Sequence, residues 1–381
     1  MRVLWVTNDL PPRAGGIEVF VANLLARVHP TSTIVLGPAG DGSTTAYDAD
    51  QPYRTVRMSG GVQPTPAIRR RAIGLARQFD VEVVVLGAMW PLGELAPTLH
   101  EQLGVPVIAL SHGLEAGLVR VGGGPLVRRA TRGLAAVTTI SDWSEQRLRP
   151  DVRADRIVRV APGVDAQRFD VDPSHGILWR RRWGVPDAAP VVGCVSRLVA
   201  RKGQDVLVRC WPEIQRRHPD AWLVLVGEGP LQARLARQVE RSGRRLQVVL
   251  AGRMEDADLP GAYAAMDVFA MPCRDRWGGM DVEGLGIVYL EAQAARLPVV
   301  AGDSGGAPET VLDPASGTVV DGRDDQAVTA AVDRWLVDPA TRQHAGEMGR
   351  RWVEERWSWT ATAARFTRLL DEVVDPARPV G

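Results

Sequence analysis

Residues 191–217 read VVGCV-SRLVARKG-QDVLVRCWPEIQRR, a pattern that predicts a buried strand, a short basic loop and an amphipathic helix. The strand, Val191–Val195, is a continuous apolar run, as is typical of strands covered on both faces of a parallel sheet. The helix, Gln204–Arg217, carries apolar residues three and four positions apart. A strand that passes through a short loop into a helix is the repeating unit of doubly wound α/β folds.

The same alternation of strand and helix continues on both sides of this unit. Downstream, strands are predicted at 221–226, 247–251, 268–271 and 299–301, with helices at 231–241, 285–295 and 326–336. Upstream, strands are predicted at 3–7, 33–36, 81–86, 107–110 and 137–140, with helices at 17–28 and 66–79. The alternation predicts parallel sheets with crossover helices.

A chain of 381 residues is long enough for two such cores. A polar stretch with three prolines interrupts the alternation at 169–190 and is interpreted as a linker. We therefore expect an α/β protein with two Rossmann-like domains, 1–168 and 191–352, facing each other across a cleft. A C-terminal helical segment, 353–381, is expected to pack back on the first domain. In such sheets ligands bind at the carboxyl ends of the strands.

The composition argues against nucleic-acid-binding and membrane-spanning classes of protein. Apolar residues make up 45% and the net charge is +1, which argues against general nucleic-acid binding. No apolar run is long enough to cross a bilayer, and the N-terminus enters a predicted strand without a signal-like segment. We expect a cytoplasmic protein. Cys194, Cys210 and Cys273 lack paired spacing and are expected to be buried free thiols.

One basic loop carries the only lysine of the chain. Of 46 basic residues, 45 are arginines and one is Lys202. Lys202 and Arg197 lie between a strand and a helix, where they could converge on a diphosphate, one as a point charge and one as a planar fork. The alternative is a solvated basic loop.

The sharpest signal is the segment 283–291, EGLGIVYLE. Glu283 precedes a glycine-punctuated helix start with free backbone N–H groups, and Glu291 lies about two turns further on. Glutamates on a solvated face are the alternative, but the apolar residues around them favour a buried helix. A further glycine pair, Gly15-Gly16, follows the first strand and would allow close approach to an anion at a helix N-terminus. No GxGxxG fingerprint of a dinucleotide-binding dehydrogenase occurs.

Together these segments resemble the retaining glycosyltransferases of family 4. The resemblance rests on PGVDAQRF at 162–169, SRLVARKG at 196–203, the Glu283/Glu291 pair and SGGAPE at 304–309, which occur in this order. A closer resemblance, over 273–310 and 6–9, is to the actinobacterial PimB-type mannosyltransferases. Those enzymes transfer mannose from GDP-mannose to the inositol O6 of phosphatidylinositol monomannoside.

The resemblance implies a GT-B fold and a set of site residues. Arg197 and Lys202 would hold the donor diphosphate and stabilise the leaving group, and Glu291 would bind the ribose hydroxyls. Glu283 would bind the transferred sugar, and His112 would bind its O6 hydroxyl. Backbone contacts to the donor are implied at Gly16, Arg253, Met254, Gly284, Leu285, Gly286 and Ile287.

No metal or other cofactor is implied beyond the nucleotide sugar. Retention of configuration would follow from front-face substitution, in which a leaving-group oxygen accepts the acceptor proton. The acceptor side departs from the closer subgroup, since Leu114, Glu18 and Asp275-Arg276-Trp277 stand where that subgroup has other residues. Another nucleotide sugar or a soluble polyol or secondary-metabolite acceptor is therefore an alternative, followed by a nucleotide-sugar epimerase and a non-catalytic sensor.

A glycolipid acceptor would also predict contact with a membrane. In the helix 66–79, Ile68, Ala72, Leu75 and Phe79 recur at helical spacing. Peripheral contact with anionic lipid, on the cytoplasmic face of the inner membrane, is predicted through Arg69, Arg70, Arg71 and Arg77. The alternative is a core-facing helix with a solvated arginine face.

Overall fold

The structure, a computed structural model, describes residues 1–13, 15–40, 42–241 and 246–375. The chain divides into two units: Met1–Gly163 together with Trp359–Gly381, and Val164–Ser358. These boundaries differ from the expected 168 and 352. The segment interpreted as a linker belongs to the second unit, because the Phe169 ring packs edge-on against the Tyr263 ring at 5.4 Å between centroids.

The first unit contains a seven-stranded parallel sheet in the order β3-β2-β1-β4-β5-β6-β7. Its strands are β1 (Val3–Val6), β2 (Thr33–Pro38), β3 (Arg54–Met58), β4 (Val83–Leu86), β5 (Val107–Leu110), β6 (Ala136–Thr139) and β7 (Arg156–Arg159). Its first seven helices are α1 (Gly16–Arg27), α2 (Gly42–Ala49), α3 (Pro66–Gln78), α4 (Ala96–Leu103), α5 (Leu114–Arg120), α6 (Gly124–Ala130) and α7 (Asp142–Leu148).

The second unit contains a six-stranded parallel sheet in the order β10-β9-β8-β11-β12-β13. Its strands are β8 (Val191–Val195), β9 (Trp222–Val226), β10 (Val248–Gly252), β11 (Val268–Met271), β12 (Val299–Gly302) and β13 (Gly317–Val320). Its helices are α8 (Pro173–Arg182), α9 (Gln204–Arg217), α10 (Gln232–Arg241), α11 (Leu259–Ala264), α12 (Ile287–Ala294), α13 (Asp325–Val337) and α14 (Pro339–Arg356).

The C-terminal helix α15 (Trp359–Val374) completes the core of the first unit. The Phe366 ring lies 5.7 Å from the ring of Trp5 in β1, and the Trp359 ring lies 6.2 Å from the ring of Phe20 in α1. Phe366 and Trp5 are both fully buried. The helix therefore covers one face of the sheet, and the chain returns to the first unit at 359 rather than at 353.

The sequence analysis missed three strands, and all three lie at sheet edges. The strand β3 reads RTVRM, β7 reads RIVR and β13 reads GTVV. Edge strands pair on one side only, so they need not be continuous apolar runs. The central strands β1, β4 and β5 are fully buried and were predicted.

The apolar stripe of α3 faces the core. Ile68, Ala72 and Leu75 are buried in the hydrophobic cluster of the first unit, and Phe79 packs against it. The stripe is therefore not available for insertion into a membrane, whereas Arg70, Arg71 and Arg77 on the opposite face are exposed. Among the described residues, no helix combines the length and the apolarity required to cross a bilayer.

The three cysteines are buried free thiols, as predicted. Burial raises the pKa of Cys194 and Cys210 to about 11. These thiols are therefore protonated at neutral pH and fill core positions.

Candidate active site

The basic loop of the second unit is pressed against the end of β11. Gly203, which ends the loop, has a φ of 81°, and a Cβ at this position would lie 2.1 Å from the Pro272 carbonyl oxygen. Glycine is needed here for both the left-handed backbone and the close approach. The approach brings Lys202, only 9% exposed, towards the segment that follows β11.

Lys202 meets Glu283 in a buried ion pair. The Lys202 Nζ lies 2.7 Å from the Glu283 Oε2, and the Arg201 Nε lies 3.7 Å from the same oxygen. Burial alone would raise the pKa of Glu283, but the charges of Lys202 and Arg201 outweigh it, so the pKa is lowered. Glu283 is thus a carboxylate at neutral pH although it is only 5% exposed.

A glycine turn after β12 holds the backbone of Glu283. The Glu283 N–H donates to the Ser304 Oγ at 3.1 Å, and the Gly306 N–H donates to the Glu283 carbonyl oxygen at 3.0 Å. Between them, Gly305 has a φ of 58°, and a Cβ there would lie 1.8 Å from that carbonyl oxygen. The motif at 304–309 therefore acts as a clamp on the carboxylate segment.

Glu283 is followed by the start of α12. Gly286 precedes the helix with a φ of 88°. Within the described residues, the backbone N–H groups of Leu285, Gly286 and Ile287 have no hydrogen-bond acceptor. Such N–H groups at a helix start can bind oxygen atoms of a ligand.

The second glutamate of the motif is held by a tyrosine. The Tyr263 hydroxyl donates to the Glu291 Oε2 at 2.8 Å. Burial raises the pKa of Glu291, more than the hydrogen bond from Tyr263 and the charge of Arg168 lower it. The other carboxylate oxygen of Glu291 is left as an acceptor for a donor such as a ribose hydroxyl.

Three residues of the second unit that are predicted to contact the donor have no hydrogen bond or ion pair with Glu283 or Glu291 among the described residues. Arg197 is exposed and has no ion-pair partner in the described part of the chain. Arg253 is also exposed, 3.5 Å from Glu228, and Met254 beside it is partly buried. Instead, the structure places Arg201 at Glu283, a residue that the sequence analysis did not single out although it stands next to Lys202.

The candidate residues of the first unit lie around the end of β5. The His112 Nε2 is 2.7 Å from the Gly87 carbonyl oxygen, which can only accept, so Nε2 carries the proton. The Nδ1 atom of a neutral His112 is therefore left as an acceptor. The ring packs edge-on against Phe20, with 5.8 Å between centroids.

A buried glutamate, which the sequence analysis did not predict, supports this turn. The Ser111 hydroxyl donates to the Glu115 Oε2 at 2.9 Å, and the Trp90 N–H donates to the Glu115 Oε1 at 3.2 Å. Glu115 is only 3% exposed. Its position in the first turn of α5 ties the end of β5 to the loop that follows β4.

Gly16 is the first residue of α1 and is exposed, with open space where a Cβ would stand. The nearby Glu18 lies over Gly15, since a Cβ on Gly15 would be 2.2 Å from the Glu18 Oε2. The carboxylate of Glu18 also pairs with the Arg13 Nε at 3.1 Å. A negative charge of the chain itself therefore stands at this helix N-terminus.

Two family models match the chain. Glycosyltransferase Family 4 matches residues 14–168, and Glycosyl transferases group 1 matches residues 177–352. A GDP-mannose-dependent alpha-(1-6)-phosphatidylinositol monomannoside mannosyltransferase of Mycolicibacterium smegmatis is 42% identical over 97% of this chain and 98% of its own length. The chain belongs to glycosyltransferase family 4.

Other members of glycosyltransferase family 4 and solved structures agree with this assignment. A GDP-mannose-dependent monoacylated alpha-(1-6)-phosphatidylinositol monomannoside mannosyltransferase of Corynebacterium glutamicum is 38% identical over 97% of each chain. The crystal structure of Anabaena HepE in complex with UDP superposes with a TM-score of 0.82 at 20% identity, covering 98% of this chain and 100% of HepE. The predicted family and the predicted GT-B fold, with two Rossmann-like parallel-sheet domains, are both confirmed.

Proposed function

We propose that this glycosyltransferase transfers mannose from GDP-mannose to a phosphatidylinositol mannoside-type glycolipid with retention of configuration. The main support is identity of 38–42% over nearly the full chain to relatives that bear those names. A second support is the buried Lys202–Glu283 pair, which offers a cation suited to a leaving phosphate and a carboxylate suited to sugar hydroxyls.

In the proposed donor complex, the diphosphate replaces Glu283 as the partner of Lys202. Charge builds on the leaving phosphate as the sugar departs, and the fixed ammonium of Lys202 stabilises it together with the exposed Arg197. Glu283, released from the ion pair, accepts hydrogen bonds from hydroxyls of the sugar. The free N–H groups of 285–287 donate to the donor, and Glu291 binds the ribose.

His112 is proposed to accept a hydrogen bond from a sugar hydroxyl through Nδ1, because Nε2 already donates to the Gly87 carbonyl. Arg253 and Met254 are proposed to contact the nucleobase, and Gly16 the acceptor side. A leaving-group oxygen would accept the acceptor proton, so no dedicated base and no metal are required in this scheme.

A soluble polyol acceptor is the second candidate. It is favoured by D-inositol 3-phosphate glycosyltransferase of Salinispora tropica, which is 29% identical over 96% of this chain and 75% of its own length. The residues that depart from the closer subgroup, Glu18 and Trp277 among them, belong to segments expected on the acceptor side.

We also propose peripheral contact with an anionic membrane through the basic face of α3. Since the apolar stripe of this helix is buried, the contact would be electrostatic and would weaken with salt. Each basic side chain near an anionic surface contributes about 1 kcal/mol. The side chains concerned are Arg70, Arg71 and Arg77, with Arg69 partly buried beside them.

The deciding experiment is transfer of label from GDP-[14C]mannose into purified phosphatidylinositol monomannoside. Parallel reactions contain UDP-[14C]glucose, no lipid, or free inositol phosphate. A labelled dimannoside formed only from GDP-mannose and the lipid supports the proposal. Label in inositol phosphate alone would favour the soluble acceptor, and free mannose alone would favour neither transferase.

A further inference from the structure

A short hairpin before Glu283 presents one tryptophan to solvent. Trp277 is 63% exposed although its side chain is large and mainly apolar. The hairpin closes through two backbone hydrogen bonds between Arg276 and Asp281, of 2.9 and 3.3 Å. Trp277 therefore stands at a defined position in a closed turn.

The backbone at this position is one that a tryptophan rarely adopts. Trp277 has a φ of 49°, and the next two residues, Gly278 and Gly279, have φ values of 67° and 94°. Non-glycine residues in this region are strained, and such strain concentrates at functional sites. Because the Trp277 ring is largely exposed, burial does little to offset the strain.

A cation stacks on the exposed ring of Trp277. The Arg276 guanidinium lies 4.9 Å from the centroid of the Trp277 ring. Arg276 has no carboxylate partner within the described residues, so its charge is available to a phosphate. The pair thus combines an apolar platform with a positive charge.

The residue that precedes the hairpin, Asp275, is joined to the backbone of Glu283 by two hydrogen bonds through Ser304. The Ser304 hydroxyl donates to the Asp275 Oδ1 at 2.7 Å and accepts from the Glu283 N–H at 3.1 Å. Trp277 follows Asp275 by two residues, a span of at most about 7 Å. Trp277 therefore follows closely on a residue tied to the Glu283 backbone, and its ring is exposed to solvent whereas Glu283 is buried.

We propose that Trp277 is an acceptor-recognition residue whose exposed ring stacks on the C–H face of the acceptor's sugar or cyclitol ring. The inference rests on the proposed transfer to a phosphorylated glycolipid. An aromatic ring offers a rigid contact area at low entropic cost, and the dispersion attraction with a flat C–H face is substantial. Arg276 lies where it attracts the headgroup phosphate. The donor sugar is bound at the buried Glu283, so the exposed ring serves the group that arrives from solvent.

The test distinguishes binding of the acceptor from binding of the donor, and contact with the lipid headgroup from contact with the bilayer. Initial rates are measured with GDP-mannose and with two acceptors, lipid in vesicles and its deacylated, water-soluble form. Trp277→Gly raises the KM for the soluble acceptor about tenfold, which corresponds to about 1.4 kcal/mol. The KM for GDP-mannose and kcat stay within about twofold, since the donor contacts are untouched. Trp277→Phe shows a smaller rise because an aromatic face remains.

Two controls guard against a folding defect. Leu178→Ala, which trims a residue that is 58% exposed in α8 of the same unit, leaves all constants unchanged. Trp277→Gly melts no lower than the wild type, because glycine adopts the positive φ without strain.

Three results would overturn the proposal: an unchanged KM for the soluble acceptor, a rise in the KM for GDP-mannose instead, or an effect with vesicles only. If the wild type transfers no mannose at all, the proposed function fails and the platform is tested by binding alone. Saturation-transfer NMR with methyl α-mannoside and with inositol 1-phosphate then decides whether Trp277 binds a sugar or cyclitol ring. Saturation-transfer signals that are lost in Trp277→Gly support stacking on Trp277. Signals of equal intensity in wild type and Trp277→Gly refute it.

Discussion

Two effects oppose each other at Glu283. Burial disfavours its charge, while Lys202 at 2.7 Å and Arg201 at 3.7 Å favour it. Removal of one partner from a buried pair leaves an uncompensated charge and costs about 3–5 kcal/mol. Arg201 remains in Lys202→Met, so we expect a loss of unfolding free energy near the lower end of that range. Urea unfolding at pH 7 measures it, and Lys202→Met/Glu283→Gln should recover much of the loss; equal stability of wild type and Lys202→Met would contradict the pair.

The same pair predicts a pH dependence. The folded pKa of Glu283 is lowered from its ordinary value of 4.5. A carboxyl with a lowered folded pKa contributes stability above its unfolded pKa and loses that contribution as pH falls through the folded value. The difference in unfolding free energy between wild type and Glu283→Gln should therefore shrink as pH falls below about 4.5. Denaturant titrations from pH 7 to pH 3 measure it, and a difference that grows in acid would reverse the sign assigned here.

His112 allows catalysis and folding to be separated. His112→Ala removes one hydrogen bond to a backbone carbonyl, which costs about 1 kcal/mol of stability. Loss of a group that binds the reacting sugar lowers kcat about 100-fold or more. Steady-state rates with thermal melting distinguish the two effects. His175→Ala, at an exposed position in α8, serves as the control. A fully active His112→Ala would remove the residue from the sugar site.

The sequence singled out several candidate site residues, but it did not predict their contacts. Lys202 and Glu283 were each predicted to bind the donor, yet they are 81 positions apart and nothing in the spacing predicts that they pair with each other. The clamp on Glu283 was visible only as a glycine-rich turn. Trp277 was visible only as a departure from the closer subgroup, because exposure and backbone strain cannot be read from a residue name.

At the scale of elements, the glycine clamp around Gly305 gives a prediction that distinguishes the cost of a left-handed backbone from the cost of a steric clash. Gly305 and Gly184 both have a positive φ, of 58° and 71°. A Cβ at Gly305 would lie 1.8 Å from the Glu283 carbonyl oxygen, whereas a Cβ at Gly184 would have no atom within 4 Å. Gly184→Ala should cost about 1–2 kcal/mol for the left-handed backbone alone. Gly305→Ala should cost more and also weaken GDP-mannose binding, because the turn must move away from Glu283. Chemical denaturation and calorimetry measure both, and equal effects of the two substitutions would refute the clamp.

Every interior strand of the two sheets was predicted, together with one edge strand, β10. Central strands such as β1 and β8 are covered on both faces, so their sequences are continuous apolar runs. The edge strands β3 and β7 contain arginines and were missed. The periodicity of α3 was recognised, but periodicity alone cannot say whether an apolar stripe meets a core or a membrane; the packed neighbours of Ile68 decide that.

At the scale of the whole molecule, α15 supplies buried side chains to the core of the first unit. Phe366 and Leu370 are fully buried and Leu369 is 2% exposed. Burying each such side chain contributes about 1.5–3 kcal/mol, so together they rival the net stability of a typical domain, about 5–15 kcal/mol. A chain that ends at Ser358 should therefore be cleaved rapidly within the first unit by a protease, while its second unit still binds GDP. A chain that ends at Asp375 is the control. Protection of the first unit in the shorter chain would contradict the role of α15.

The fold class was predicted correctly because strand and helix alternate through both halves of the chain. The boundaries were not, since alternation does not reveal which unit a segment packs against. Residues 169–190 look like a linker by composition, yet Phe169 packs in the second unit. The return of the chain at 359 was placed six residues too early for a similar reason: α14 continues to Arg356.

The division of the first unit between the two ends of the chain has a consequence for biosynthesis. A ribosome finishes every residue of the second unit before it makes α15. At about 5–20 residues per second, the first half of the nascent chain waits tens of seconds for its last helix. During that time Trp5 and Phe20 lack their aromatic partners in α15. The unit that emerges first is thus the last to be completed, and its uncovered sheet is the surface on which a chaperone would act.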